Sequence, residues 1–419
     1  MNDPGDRGNP LQGLLGDLLN LIGGAQSGGT PWMDAARSLA HNVATEGAPE
    51  PNPDPLQRIQ LEELARVAEL HVGEATGLPV QSAGRRASVD PVGRGAWALR
   101  ELEAWEPRMA AMVAAQGEAQ AAAPPIPDGL GDALDLGGED AGGLGDLLGR
   151  FASTMGPVLL GMQFGSAAGH LAQRALGRYA LPLPWRGAGD LLLVPQNIQV
   201  FADDWSLPLD QAQLWTCIRE LTAHAVLSRP HVAARINGLL DEAASGLVTA
   251  QHDLVERMSA QPDDPEALQH LLADPESLLA DLLTPGQRHT SASLVAVTTV
   301  VAAYVDHVTA RVAGSLLGSA GAAVEAWYRY RTTEADGERA AGSLFGLDLG
   351  REQVDRGAAF TRGVVERAGE DGLARLWASA RTLPTPAEVD APGLWLERID
   401  LPVDEVEPGE EEGGEQPPG

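Results

Sequence analysis

Lysine is absent from this chain: all 29 basic side chains are arginines, set against 59 carboxylates. The formal net charge of −30 removes the basic surface that nucleic acid or an anionic bilayer needs for counterion release. Cysteine is almost missing as well. A single thiol, Cys217, excludes an intrachain disulfide and fits a reducing compartment. The opening MNDPGDRGNP lacks a basic stretch running into an apolar one, so a cleaved secretion signal is not expected. Long apolar runs are lacking too. The longest, LVAVTTVVAAYV at residues 294–305, is shorter than the roughly 20 residues that cross a bilayer. What remains is an acidic, cytoplasmic protein with no expected nucleic-acid or membrane-spanning role.

What the chain does contain is alanine, glycine and proline in abundance, the mark of a GC-rich genome, and helical periodicity over most of its length. Residues 1–29 read as an amphipathic helix, LQGLLGDLLNLIG, followed by a glycine-rich link. Residues 30–116 carry Leu, Ile, Val and Ala at helical spacing, with Gly77-Leu78-Pro79 ending one helix. Residues 117–148 are rich in Ala, Pro, Gly and Asp and read as an acidic, flexible insert. The third helical region, 149–400, opens with Gly161, Gly165 and Gly169 at four-residue intervals, which lets one helix backbone approach another closely. Leu191–Pro195 reads as a short strand and Asn197 as the start of a helix. Two further helices are expected at 211–228 and 291–314. The acidic tail, 401–419, should be disordered. The expected class is mainly α with few short strands.

One stretch suggests chemistry. LWTCIRELTAHAVLSRPHV, from Leu214 to Val232, has the rhythm of H-E-x-x-H with the Glu present and both histidines missing. In that motif two imidazoles one helical turn apart bind Zn²⁺, and the Glu acts as general base on the metal-bound water. Here Arg219 and Ala223 hold the histidine positions and Glu220 holds the base position. The apolar residues Leu214, Ile218, Leu221 and Ala225 lie opposite 219 and 223, so the pattern predicts a core side and a wet side. Spacing alone favours an ordinary amphipathic helix with an Arg–Glu pair on its wet side.

The surroundings of the motif carry more. ELARVAELHVGEATGLP, GRGAWALRELEAW, GHLAQRALGRYALPLP, LLLVPQNIQVFADDWSLP, YVDHV and LPTPAEVDAPGLWLERI follow one another in an order and spacing that resemble an actinobacterial family of zincin-like metallopeptidases, described as hydrolases. The resemblance runs from about Thr30 to Ile399 and implies a zincin-like helical scaffold. In family members that keep the motif, the segment resembles HELTHHAVL, with its histidines at the positions of Arg219, Ala223 and His224. A later helix resembling V-E-G-x-x-D-H-V supplies a third ligand, whose position is Ala302; Asp306 and His307 follow it here. The resemblance therefore implies that all three ligand positions (219, 223 and 302) have lost their donors and that Glu220 is a vestigial general base.

The expectation is a catalytically inactive pseudoenzyme with a binding or regulatory role, no metal cofactor, and a peptide or protein partner. Arg219 is expected to pair with Asp306 or another carboxylate of the old cleft. One alternative is an active zinc hydrolase with shifted ligands, His224, His307 and Glu220. Another is a scaffold acting through its N-terminal helix and acidic insert. His224 reads as hydrogen-bonded scaffold, Cys217 as a buried small residue, and Asp306–His307 as a poor chelating pair because helical neighbours diverge.

Overall fold

The computed structural model describes residues 30–80, 88–122, 141–185, 191–260, 283–333 and 336–402. Among these, helices α1 (Pro31–Thr45) and α2 (Pro55–Thr76) lead into a three-residue strand, β1 (Val89–Pro91). Helices α3 (Arg94–Ala122) and α4 (Ala141–Ala172) follow, and then a 3-10 turn at Arg178–Ala180. Strand β2 (Leu191–Leu193) precedes α5 (Pro195–Asp204), α6 (Leu209–Leu227) and α7 (Pro230–Ala260). The chain closes with α8 (Pro285–Leu316), α9 (Ala320–Thr332), α10 (Asp336–Leu344), α11 (Arg351–Ala374) and the short helices α12 (Pro386–Asp390) and α13 (Pro392–Asp400). The class is mainly α, as the sequence predicts; the two strands pair in parallel, Val89 with Leu191.

The ends of these helices follow local chemistry. Gly77, at φ +66°, closes α2 where a side chain would be strained. Thr284 caps α8 reciprocally with Gln287, and Pro285 fills the first helical position. That cap starts the helix six residues before the predicted 291. Pro195, not Asn197, starts α5 for the same reason. Asn197 instead turns inward, and its amide donates to the carbonyls of Ala172 and Ala175 at 2.8 and 2.7 Å, which ties down the end of α4.

The 117–148 insert is partly helical, against expectation. α3 continues through its alanines to Ala122, because Ala is the best helix former. α4 already begins at Ala141, since lengthening a packed helix is easier than nucleating one. Residues 123–140, the N-terminal helix expected within 1–29, and the tail from 403 lie outside the described residues.

The glycine stripe does what its spacing implies. A Cβ on Gly161 would sit 2.3 Å from the Trp32 carbonyl oxygen, and one on Gly165 2.4 Å from that of Ala36. Helices α1 and α4 therefore pack backbone to backbone. At the centre, α6 and α8 lie against each other; α6 is also flanked by α2 and α5, and α8 by α7 and α11. Taken whole, α8 is long and apolar enough to cross a membrane, although its longest apolar run is not. Within the fold, 72% of its apolar window is buried.

Candidate functional site

The motif lies on α6, and this helix has no broad wet side. Glu220 and Thr222 are fully buried, and Ala223 and His224 nearly so. The predicted amphipathic pattern fails because the face opposite the core is covered by a second piece of chain, residues 176–181. That segment is held next to β2 by the Val194 N–H donating to the Leu176 carbonyl at 2.9 Å and by a Gly177–Leu193 bridge. The Trp97 indole N–H donates to the Gly177 carbonyl at 3.0 Å. Only glycine fits at 177, where a Cβ would stand 2.5 Å from the Glu220 carboxyl carbon.

This turn and Arg219 together enclose Glu220. The Tyr179 backbone N–H donates to Glu220 Oε2 at 2.8 Å, and Arg219 Nη1 donates to Oε1 at 2.6 Å. Both nitrogens Nη1 and Nη2 of Arg219 also reach the Tyr179 carbonyl at 3.1 Å, and the guanidinium lies 4.5 Å from the centre of the Trp327 ring. Burial pushes the Glu220 carboxyl above its ordinary range, while Arg219 and the Tyr179 N–H pull against that rise. A charge pair removed from water to this degree needs such hydrogen bonds to persist.

Arg219, Glu220, Ala223 and Ala302 all line one cavity of about 60 Å³ between α6, α8 and α9, with Trp327 and Glu338 on its far wall. The residues that the motif comparison singles out therefore converge. Asp306 does not join them as expected. It accepts from the Trp327 indole at 2.8 Å and pairs with Arg331, so Arg219 pairs with Glu220 instead, its Nε left without a partner. Adjacency on α8 is the reason: His307 diverges from Asp306 and meets Glu370 at 2.9 Å. His224 bonds through Nδ1 to the Tyr179 hydroxyl at 2.8 Å, and burial, aided by Arg178, lowers its pKa to about 4. Cys217 is buried, and its thiol is pushed up to about 12, which leaves it unreactive at neutral pH.

Zinc requires three or four imidazole, thiolate or carboxylate donors. The cavity lining contains neither histidine nor cysteine, and its two carboxylates, Glu220 and Glu338, are engaged by Arg219 and Arg174. Among the described residues no group of three or more His, Cys, Asp or Glu side chains is placed to hold a metal ion. The donors present do not fit a zinc ion. Each oxygen of Glu220 already accepts a hydrogen bond, Oε1 from Arg219 and Oε2 from the Tyr179 N–H.

Sequence reasoning missed Tyr179 and Arg331; Trp327 reads from the sequence as a core or groove aromatic, and it lines the cavity. Tyr179 belongs to GRYALPLP, and the signal available was Gly177, two residues before it. Trp327 and Arg331 are one turn apart on α9, and only the packing of α9 on α8 brings them to the cavity.

With this geometry in place, comparison with known proteins identifies the class. The family model for zincin-like metallopeptidases matches residues 32–396, and the chain belongs to that family. A solved structure from Chloroflexus aurantiacus, provisionally described as a hydrolase with a novel fold, superimposes with a TM-score of 0.56 at 22% identity. The match covers 88% of this chain and 98% of that one, and it shows a shared fold. No curated protein matches.

Proposed function

We propose that this chain is a zincin-like protein that has given up metal-dependent hydrolysis and acts in the cytoplasm by binding a peptide or protein. The observation carrying this reading is the Arg219 guanidinium. It occupies the cavity shared by Glu220, Ala223 and Ala302 and pairs with Glu220 at 2.6 Å. On this reading a divalent ion that once balanced buried carboxylates has been replaced by a fixed side-chain cation, and the cost of leaving those carboxylates facing one another is avoided. Methyl groups at 223 and 302 complete the change, since neither can donate an electron pair to a metal. Groove shape and metal chemistry are separable, so the scaffold keeps a use after the metal is lost.

The test is metal content and hydrolysis by the purified full-length chain. Dialysed protein is expected to carry no stoichiometric zinc and to leave casein and peptide libraries uncut. The variant Arg219→His/Ala223→His/Ala302→Glu is expected to bind about one zinc per chain. Stoichiometric zinc in the unmodified protein, lost in His224→Ala, would overturn the proposal in favour of shifted ligands. No geometric observation favours that alternative, because His224 and His307 are committed to Tyr179 and Glu370.

A further inference from the structure

On the other side of the Arg178–Ala180 turn lies a second cavity, of about 30 Å³, lined by Glu101, Arg108, Arg178 and Trp185 among others. A single water molecule needs about 10–15 Å³ by this measure, so the space holds more than one atom of oxygen size. Its polar lining is unsatisfied to an unusual degree. Glu101 Oε1, Arg178 Nε and Nη1, and the Trp185 indole nitrogen are all buried without a hydrogen-bond partner. Arg178 and Glu101 are themselves only 6% and 7% exposed. Orphaned buried groups each cost free energy, and several around one cavity indicate a missing bonding partner.

The character of these groups specifies that partner. Guanidinium and indole N–H groups only donate. The Arg178 guanidinium lies 3.7 Å from the centre of the Trp185 ring, which fixes its plane. Arg108, on the same wall, is already bonded to Asp241 and Asn237. Glu101 is the one group with a choice of state. Burial raises its pKa to about 8; Arg178 on the turn opposes the rise, Glu220 on α6 adds to it, and a hydrogen bond with the Trp105 side chain opposes it. As a neutral acid it becomes a further donor.

We propose that this cavity is a binding site for a small carboxylate, whose oxygens accept from Arg178 and from the Trp185 indole N–H beside Glu101. The site is separate from the Arg219 cavity and does not depend on whether that cavity works with metal.

The experiment is calorimetric titration of the full-length protein with acetate, formate and a dipeptide, in a buffer without carboxylates. Saturable binding is expected, weakened by roughly ten- to a hundredfold in Arg178→Gln, as suits loss of a charged hydrogen bond. Binding should fade as pH rises past about 8, because ionised Glu101 would repel the ligand. The groups facing Glu101 that could confuse this profile are Arg178, Tyr179 and Glu220, together with Arg100 beside Arg178. Glu101→Gln, a fixed neutral mimic, isolates the cause: it should still bind and should lose the alkaline decline. Trp185→Phe keeps the ring under Arg178 and should weaken binding by a smaller factor. The dipeptide bound more tightly than its C-terminal amide would assign the site to chain ends; acetate bound as well as the dipeptide would assign it to free small acids. Absence of saturable binding for every carboxylate, with Arg178→Gln folded by circular dichroism, would overturn the proposal. So would an alkaline decline that persists in Glu101→Gln.

Discussion

Arg178 and Tyr179 are neighbours in sequence, yet they line different cavities, and each cavity has a buried glutamate with an arginine near it, Glu220 with Arg219 and Glu101 with Arg178. In the α6 cavity, Arg219 and Glu220 touch at 2.6 Å, and the Tyr179 backbone completes the carboxylate's shell. In the α3 cavity, Arg178 influences Glu101 through space, while Glu101 Oε1 and two guanidinium nitrogens have no partner. The same pair of residue types thus gives two outcomes. Direct contact pairs the two charges with each other, although Arg219 Nε keeps no partner and the cavity beside them remains the larger of the two. Separation leaves Glu101 Oε1 and two Arg178 nitrogens without a partner inside the smaller cavity.

The contrast can be broken first at Arg219. Arg219→Met removes the cation from a carboxylate that has no access to water, so a loss of about 3–5 kcal/mol is expected in urea unfolding. Adding Glu220→Gln should recover a large part of it, because the uncompensated charge disappears. If Arg219→Met were neutral, the guanidinium would not be what compensates the buried carboxylate.

The second prediction concerns the α3 cavity and has the opposite sign. In the unfolded chain Glu101 ionises near its ordinary 4.5, whereas the folded value is about 8. As pH rises from 4.5 to 8, the unfolded state releases a proton that the folded state retains. The contribution of this residue is therefore fully favourable below 4.5 and lost by about pH 8. Glu101→Gln should flatten that slope and, at pH 8, stabilise the protein by up to a few kcal/mol. Unfolding at pH 5 and pH 8 measures both.

A smaller effect is expected at the hinge between the cavities. Tyr179→Phe removes one buried hydrogen bond, to His224 Nδ1, for about 1 kcal/mol. His224 itself should make the protein less stable as pH falls from 6.5 towards 4. In that window the unfolded imidazole takes up a proton that the folded one refuses. His224→Asn should reduce this acid sensitivity in thermal melts across that range.

Much of the scaffold is legible in the chain itself. Four-residue glycine spacing predicts a close helix–helix approach, which α1 supplies, and the motif positions 219, 220, 223 and 302 do converge. The charge partners are less legible. Glu101 lies in RELEAW, where a glutamate beside other charges reads as surface, and only the approach of residues 176–185 buries it. Asp306 was a reasonable partner for Arg219 by proximity in the motif, but Trp327 and Arg331 from α9 claim it first. The wet side expected for α6 vanished for the same reason. A pattern along one helix carries no information about which distant segment will cover it. The 117–148 region misled through its composition, since alanine supports either a linker or a helix and the neighbouring packed turns decide.

The glycine contacts of α4 have a consequence for the order of assembly. α1 packs against a surface centred on Gly165, so on the ribosome it is finished long before its partner exists. At about 5–20 residues per second, the interval is on the order of ten seconds. During it the apolar face of Met33, Ala36 and Ala40 lacks its α4 cover and has at most the packing that α3 supplies. A nascent chain stalled before Gly165 should therefore be a chaperone client, and release should come with the emergence of α4.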